Sequence, residues 1–386
     1  SEFTKPLEIS IDKKIDSNTL PLKIDLNFIT TNFDHKVASK TTGNRTHAEI
    51  ELSRKNRIGP LRLDTSTDFG ITQYYIKNTN NQNRVIGGFG LGLSLPYYRE
   101  SSLFGYEVMH KLMPKISYDF KVKKDQKDLP IFDTADNIKN LLTYESLISG
   151  KRYSGLDRII NENDITISLE SDFEDMSEDG EGSLLNFKIA QRFYGDDDAV
   201  SLADDSLGNP LNYEKRRKYS DIAASLDIAV NDYLIESKIQ FDPKNTSITK
   251  KELEVTFEPY PRKFISITHS DNGVDSTLGY SGAYPITNQF HLFGGVSKSL
   301  TTNVISKQTS GVAYEDCCWS ARIAHFKESY TSLSTTKYDY STGFELVFKG
   351  LGSTDTNLRN HIEKNIPKYK AMLSESNYDD PILISE

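Results

Sequence analysis

Apolar and polar residues alternate with a period of two along much of this chain. Leu22, Ile24, Leu26 and Phe28 are interleaved with Lys23, Asp25 and Asn27, and Ala48, Ile50 and Leu52 with Glu49, Glu51 and Ser53. The pattern returns at Ile165, Ile167 and Leu169, at Leu253, Val255 and Phe257, and at Phe344, Leu346 and Phe348 around Glu345. Successive strand side chains point to opposite faces, so each run predicts a strand with one apolar and one polar side. Turn chemistry separates the runs, as in Asn78 to Asn83, Ser177 to Gly182, Asp242-Pro243-Lys244-Asn245 and Asp271-Asn272-Gly273. Two connections are much longer, roughly 123–163 and 195–217. Counting runs gives about 16 strands of about 10 residues each. One helix is expected from Thr356 to Asn365, stopped by Pro367.

Composition decides what kind of sheet this is. Only 37% of the 386 residues are hydrophobic and the mean hydropathy is -0.52, low for one large packed core. Aromatics nevertheless reach 11%, with 21 Tyr and 19 Phe, which argues against disorder. A wall with one wet face fits both facts, because lumen-facing and lipid-facing residues alternate in membrane barrels. No run approaches the roughly 18 apolar residues of a spanning helix, so a membrane reading must use strands. Aromatic pairs at segment ends, Tyr74-Tyr75, Tyr97-Tyr98 and Phe193-Tyr194, suit the girdles at lipid headgroups. In a soluble β-sandwich they would be ordinary cross-strand packing, but a sandwich seldom needs so many strands. The expected fold class is therefore all-β: a transmembrane antiparallel β-barrel. The start, Ser1-Glu2-Phe3, carries neither Met nor a signal-peptide pattern, as a processed or truncated exported chain would.

Charge and candidate chemistry narrow the function. The net charge of -9, with no basic stripe, excludes a nucleic-acid partner. Cys317 and Cys318 stand side by side before Trp319, and His325 lies too far along for a familiar zinc pattern, so no metal is expected. Adjacent cysteines are disfavoured from bonding each other by disulfide geometry, and two small buried residues are the bland alternative. The run Gly87 to Gly92 lacks dinucleotide-binding spacing and reads as a strand whose small residues relieve crowding. His269-Ser270-Asp271 is the most suggestive catalytic cluster, but neighbours in a strand face opposite ways, so no enzyme is expected. Acidic turns near Glu174 to Glu181 and Asp196 to Asp198 could bind divalent cations, with solvated loops the favoured reading. Asp157 and Arg158 are candidates for a loop or lumen ion-pair network.

Late motifs carry a family resemblance. Gly311 to Trp319 reads as a strand ending in the Cys317-Cys318 pair with an aromatic after it, followed by a strand from Ser320 to Phe326. Then come Gly343-Phe344-Glu345-Leu346-Val347-Phe348-Lys349-Gly350-Leu351 and the tail Asn365-Ile366-Pro367-Lys368-Tyr369. This order resembles the C-terminal end of LptD, the organic-solvent-tolerance protein family. There a cysteine pair precedes a last strand ending in Lys/Arg-Gly-Leu and an Asn-Ile-Pro-x-Tyr tail. Earlier stretches agree: Gly155, Asp157 and Arg158 resemble a Gly-x-Asp-Arg segment, and Gln191 in Phe187 to Tyr194 a Gly-Gln strand, with Ala190 in place of Gly. Leu112 to Tyr118, with Pro114, and Pro285 in Tyr284-Pro285-Ile286 also fit; the resemblance covers roughly 114–373.

The resemblance implies a non-enzymatic translocon in the outer membrane of a Gram-negative bacterium, without cofactor or metal, that delivers lipopolysaccharide to the outer leaflet. Its barrel would have about 26 strands, plugged by a lipoprotein, LptE, and fed by the LptA bridge through a periplasmic domain that this chain lacks. Residues 1–352 would be barrel strands and loops, and 353–386 the tail. The last strand of a lateral gate would be approximately Tyr340 to Gly350, including Phe344, Leu346 and Phe348. The family pairing implies that Cys317 and Cys318 bond two cysteines upstream. Lipid tolerates no open sheet edge, so the native protein is expected to supply further strands. The rival is a general porin for small solutes, which needs neither a cysteine pair nor a plug.

Overall fold

The computed structural model describes residues 3–16, 22–35, 40–77, 80–134, 142–150, 152–177, 182–196, 200, 217–260, 262–316, 318–332, 335–348, 352–353, 356–366 and 368–369. The chain divides into two compact units. The first holds residues 1–182, 187–225 and 240–248, and the second holds 183–186, 226–239 and 249–386.

In the first unit the strands are β1 (Thr4–Asp16), β2 (Lys23–Asp34), β3 (Gly43–Ile58), β4 (Leu61–Ile76), β5 (Gln82–Ser94), β6 (Tyr97–Leu103), β7 (Tyr106–Lys121) and β8 (Glu162–Asp175), with a short helix α1 (Tyr144–Ser149) before β8. Each strand pairs antiparallel with the next, except where the chain breaks at Leu95-Pro96. There β7 pairs along one half with β5 (Ser94↔Lys115) and along the other with β6 (Tyr97↔Leu112). A proline cannot donate to a ladder, so one long strand is cut into β5 and β6. The β6–β7 turn is Phe104-Gly105 with φ of 53° and 90°, a two-residue connection that needs the left-handed region twice.

Four strands have residues near or across the boundary between the units: β9 (Ser183–Tyr194), β10 (Ile222–Val230), β11 (Tyr233–Asp242) and β12 (Ser247–Tyr260). The second unit continues with β13 (Lys263–Asp271), β14 (Ser276–Pro285), β15 (Phe290–Ser299), β16 (Ile305–Glu315), β17 (Trp319–Ser332), β18 (Thr335–Phe348), the two-residue β19 (Gly352–Ser353) and the helix α2 (Thr356–Asn365). From β12 to β19 each pairs antiparallel with the next. Nineteen strands are thus present among the described residues rather than about 16. Short pieces such as β6 and β19 carry no full alternating run, so pattern counting passes over them. The helix lies where the sequence places it, and α1 was not foreseen.

Burial along the strands is inverted relative to a water-soluble protein. On β8, Ile165 and Ile167 are 42% and 51% exposed, whereas Asp164, Thr166 and Ser168 between and beside them are 0%, 1% and 5% exposed. On β13, Ile265 and Ile267 are exposed while Ser266 is buried; on β18, Phe344 and Phe348 are exposed while Glu345 is buried. A sheet in water gains by turning its apolar phase inward. A sheet whose apolar phase faces out and whose charged phase faces in is stable when hydrocarbon lies outside. No helix among the described residues is long and apolar enough to cross a membrane. The fold class is the expected one, the all-β antiparallel barrel of the transmembrane kind.

The glycine run supports the same facing. Cβ atoms built at Gly88 and Gly90 would lie 2.8 Å from Asp68 Oδ1 and 2.7 Å from Ser66 Oγ. The bare strand lets polar rows on β4 and β7 meet above it, where Lys121 Nζ reaches Asp68 Oδ2 at 3.4 Å. As an expected outcome, Ile167→Arg will cost about 2–4 kcal/mol, the range for a cation near the bilayer midplane. Urea titration of folding into lipid vesicles measures this, and a cost well below about 1 kcal/mol would contradict the outward assignment.

Candidate functional site

The inner phase of β3, β4 and β5 carries a buried polar cluster. Register aligns Arg45 with Tyr74, His47 with Thr72, and Thr72 with Arg84, so these side chains stand together on one face. Against them fold two pieces of the long connection, residues 122–134 and 152–161. At the centre is the Asp157 carboxylate, with no exposed surface. Its Oδ1 accepts from Arg45 Nη1 (2.7 Å) and the Tyr74 hydroxyl (3.3 Å). Its Oδ2 accepts from the N–H groups of Phe132 (2.8 Å) and Asp133 (3.0 Å) and from the Thr134 hydroxyl (3.3 Å). Arg84 donates to the Leu156 and Asp157 carbonyls at 2.6 and 3.1 Å and to Gln126 Oε1 at 2.7 Å. Gln126 in turn donates to the Ile159 carbonyl at 2.6 Å. Gly155 (φ 73°) makes the close approach possible: a Cβ there would stand 2.8 Å from Asp133 Oδ1 and 2.9 Å from Thr134 Oγ1.

The sequence paired Asp157 and Arg158 as neighbours, and the structure gives them different partners. Asp157 meets Arg45, 112 positions away, while Arg158 donates to the carbonyls of Leu129 (2.8 Å), Pro130 (3.3 Å) and Asp157 itself (2.9 Å). Asp133 completes the cluster, bound by Arg45 Nη1 at 2.6 Å and by Lys5 of β1 at 2.9 Å. Burial alone would raise the Asp133 carboxyl, but hydrogen bonds and charge from Arg45 and then Lys5 outweigh it and hold its pKa at about 2. Phe3, Phe33 and Phe132 pack beside these ions, Phe33 and Phe132 stacked at 4.4 Å.

A second buried cation in the same unit is Arg192 of β9. It reaches Asp164 (3.0 Å) and Glu162 (2.9 Å) on β8, Asp119 (3.5 Å) on β7 and the Leu147 carbonyl of α1 (2.9 Å). Its neighbour Gln191, a family-motif residue, donates to the Ser220 carbonyl at 3.1 Å. Arg45, Arg84, Asp133 and Arg192 were not singled out from sequence. The available signal was their position: Arg45 and Arg84 stand on the polar phase of alternating strands, where an isolated cation needs a partner.

In the second unit Arg322 of β17 donates to Glu345 of β18 and Glu315 of β16, both at 2.9 Å, and Arg262 reaches Glu315 at 2.7 Å. Over this inner face lies the tail, with Leu358, Ile362, Ile366 and Tyr369 buried against Phe264, Ala283, Phe293, Ala313, Ala324 and Phe326. Four such side chains gain on the order of 1.5–3 kcal/mol each by leaving water. Burial pushes the Tyr369 hydroxyl up from its usual range. Pro285, at the end of β14, is opposite His291, whose Nε2 meets the Tyr369 hydroxyl at 2.5 Å.

On the outer face Trp319 belongs to an aromatic row. Phe290 and Tyr314 are 4.7 Å apart, Tyr314 and Trp319 4.8 Å, and Trp319 is in register with Phe348. Phe344 and Phe348 of the last full-length strand are exposed, and Leu346 on the same phase is half-buried. That strand runs from Thr335 to Phe348, longer at its start than the expected segment. It pairs with β17 along its whole length and with β19 only at Val347↔Ser353 and Phe348↔Gly352. Cys318 is an exposed free thiol beside Trp319. Cys317, Gly350 and Pro367, along with most of the acidic turns and of the segment 353–386, lie outside the described residues.

His269 bonds Ser276 and Ser270 bonds Thr277, so that pair makes no nucleophile and base. No group of three or more His, Cys, Asp or Glu that could hold a metal is present among the described residues. Each buried carboxylate described here is met by a cation, and the bonds of the first unit fasten loops to its inner face. The arrangement suits a polar passage with an apolar exterior.

A family model described as LPS transport system D, LptD, matches residues 4–297. Among curated proteins, the LPS-assembly protein LptD of Shewanella sp. (strain ANA-3) is 25% identical over 355 residues, covering 84% of this chain and 45% of the relative. That of Shewanella frigidimarina is 26% identical over 367 residues (87% and 46%), and that of Pseudomonas putida 23% over 371 (84% and 38%). The chain thus spans about half the length of the curated relatives it matches, or less. Among solved structures, a Rh. blastica porin mutant overlaps at TM-score 0.37 with 9% identity, covering 83% of this chain and 98% of its own. The ferric-catecholate import receptor Fiu of E. coli K12 overlaps at 0.37 with 10% identity (89% and 66%). Overlaps that weak decide nothing.

Two outcomes are expected at the loop cluster. Arg45→Ala strands the buried Asp157 carboxylate and will cost about 3–5 kcal/mol, the range for breaking a buried ion pair from one side; the urea midpoint in lipid vesicles reads it. For Asp133 the folded pKa lies below its ordinary 3.8, so its contribution is full above that value and is lost as pH falls through about 2. Pepsin cleavage within 122–134, divided at each pH by cleavage of an unstructured reference peptide, should therefore be flat from pH 5 to pH 4 and rise toward pH 2. A rise beginning above pH 5 would assign the loop's hold to another group.

Proposed function

Because the chain belongs to the LptD family, LPS transport system D, we propose that it is part of an outer-membrane translocon that places lipopolysaccharide in the outer leaflet of a Gram-negative bacterium. One observation carries the reading: the strands turn charged and hydroxyl side chains inward and large apolar ones outward. Lipopolysaccharide has a hydrated sugar and phosphate part and several acyl chains. The sugar suits the polar phase, where hydrogen-bonding groups replace water. Acyl chains do not, since each methylene kept from hydrocarbon costs about 0.8 kcal/mol. They must leave sideways, and the strand at which they would leave is β18, whose outward residues Phe344, Leu346 and Phe348 would meet lipid.

In this reading residues 1–352 are barrel wall and loops, and 353–386 a tail. The remaining strands and a periplasmic domain would lie in the rest of a longer protein, in keeping with the share of the relatives that is matched. An LptE-like lipoprotein would plug the lumen, and an LptA-like bridge would deliver cargo to the periplasmic domain. Cys317 and Cys318 would bond cysteines in that upstream part, tying barrel to periplasmic domain in an oxidising compartment. Gly155, Asp157 and Arg158 act within the wall by holding the long connection inward, Gln191 by joining β9 to the Ser220 backbone, and Trp319 by setting the aromatic border. The family's work is transport and assembly, and no catalytic step is assigned. No observation specifically favours a general porin.

Mass-spectrometric disulfide mapping of the full-length protein, taken from envelopes under thiol-blocking conditions, tests this. Bonds from Cys317 and Cys318 to upstream cysteines are expected. Two free thiols, or a bond only between the two, would sink the two-part translocon and leave a pore.

A further inference from the structure

The tail crosses the strands it covers. Leu358, Ile362 and Ile366 recur at intervals of four, which places them on one face. Leu358 sits over Gly343 of β18, where a Cβ would come within 2.6 Å of its Cδ1, and Arg359 approaches Glu345 at 3.7 Å. His361 reaches Glu328 of β17 at 3.2 Å and packs on Phe326 with ring centres 4.7 Å apart. Asn365 donates to Thr309 of β16 at 3.0 Å. Ile366 lies over Gly295 of β15, 3.3 Å from where a Cβ would be. Tyr369 packs against Phe293 of β15 with ring centres 4.5 Å apart and the rings tilted by 31°, and bonds His291, while Lys368 reaches Glu236 of β11 at 3.0 Å. The contacts run in order from β18 to β15. Ten helical residues rise about 15 Å, close to the roughly 14 Å of three strand spacings.

A ten-residue helix is marginal alone in water, so α2 forms only where it is packed on the wall, and that contact ties the two together. Its seat is shaped for it. Gly343 and Gly295 leave room on the inner phase, and the tail's apolar side chains replace the polar ones that this phase carries elsewhere.

We propose that residues 356–366 and 368–369 are an internal brace that fastens β15, β16, β17 and β18 into one block. The brace keeps β18 attached to β17, so that any parting of the wall at the last strand takes place along its other edge. Only that last clause rests on the lateral-gate reading. The brace itself is independent of what is transported.

The test is hydrogen–deuterium exchange with mass spectrometry on the full-length protein in lipid nanodiscs, comparing β16–β18 with β3–β5. The variants are Ile362→Ala combined with Ile366→Ala, and, as a milder change, Tyr369→Phe, which removes the bond to His291 and keeps the ring. The double variant should speed exchange in β16–β18 at least tenfold and leave β3–β5 unchanged, and Tyr369→Phe should give a smaller rise centred on β15, where His291 lies. No change in β16–β18 would make the tail a passenger and overturn the brace. An equal rise in β3–β5 would also overturn it, as general loss of stability. Amide exchange reads the brace without lipopolysaccharide, so the brace and the transport reading can fail separately.

Discussion

A polypeptide wall next to hydrocarbon must satisfy every backbone donor and acceptor within itself and turn its apolar side chains outward. The antiparallel ladders answer the first demand and the exposed phase of Ile165, Ile167, Ile265, Ile267, Phe344 and Phe348 the second. The consequence falls on the opposite phase. Whatever is not apolar in these strands is driven inward, and much of it is charged. Polar residues such as Arg45, Arg84, Arg192, Arg322 and Glu345 are therefore among the most buried in the protein.

Buried charge is costly unless it is paired and hydrogen-bonded. Each of these cations is met by groups from other strands or from a long connection. Asp157 accepts from two side chains of the wall and from two backbone N–H groups and one hydroxyl of the loop. Such a node specifies geometry more than it adds stability. The loop can sit in one way, because any other leaves Arg45 and Asp157 unmatched. Arg192 does the same for α1 and three strands, and Arg322 for the last three strands of full length.

The second unit solves the same problem differently. Its inner phase includes Phe264, Phe293, Ala313, Ala324 and Phe326, which would be badly placed in a wet lumen. The tail covers them, and the ion pairs of Arg322 border that covered patch. A local apolar core on the inner side stiffens strands whose outer phase gains nothing from packing against protein. The division of labour is physical: ions hold a loop in the first unit, and apolar burial holds a helix in the second.

The sequence by itself determined the longer strands, because alternation is local and survives without any partner. It also determined the turns around Asp242-Pro243-Lys244-Asn245 and Asp271-Asn272-Gly273, the place of the long connection before β8, the helix from Thr356 to Asn365, and the motif order that resembles one family. The Gly-x-Asp-Arg segment was legible as a motif through Gly155, Asp157 and Arg158, but its chemistry was not. Asp157 finds Arg45 across 112 positions and Tyr369 finds His291 across 78, and no periodicity encodes a contact between residues so far apart. The tertiary structure alone decided those partners, the inward face of the long connection and the seating of the tail. Hydrophobic phase is a property of neighbouring residues, whereas charge pairing in a membrane wall is settled only when register and loops bring distant groups within about 3 Å of each other.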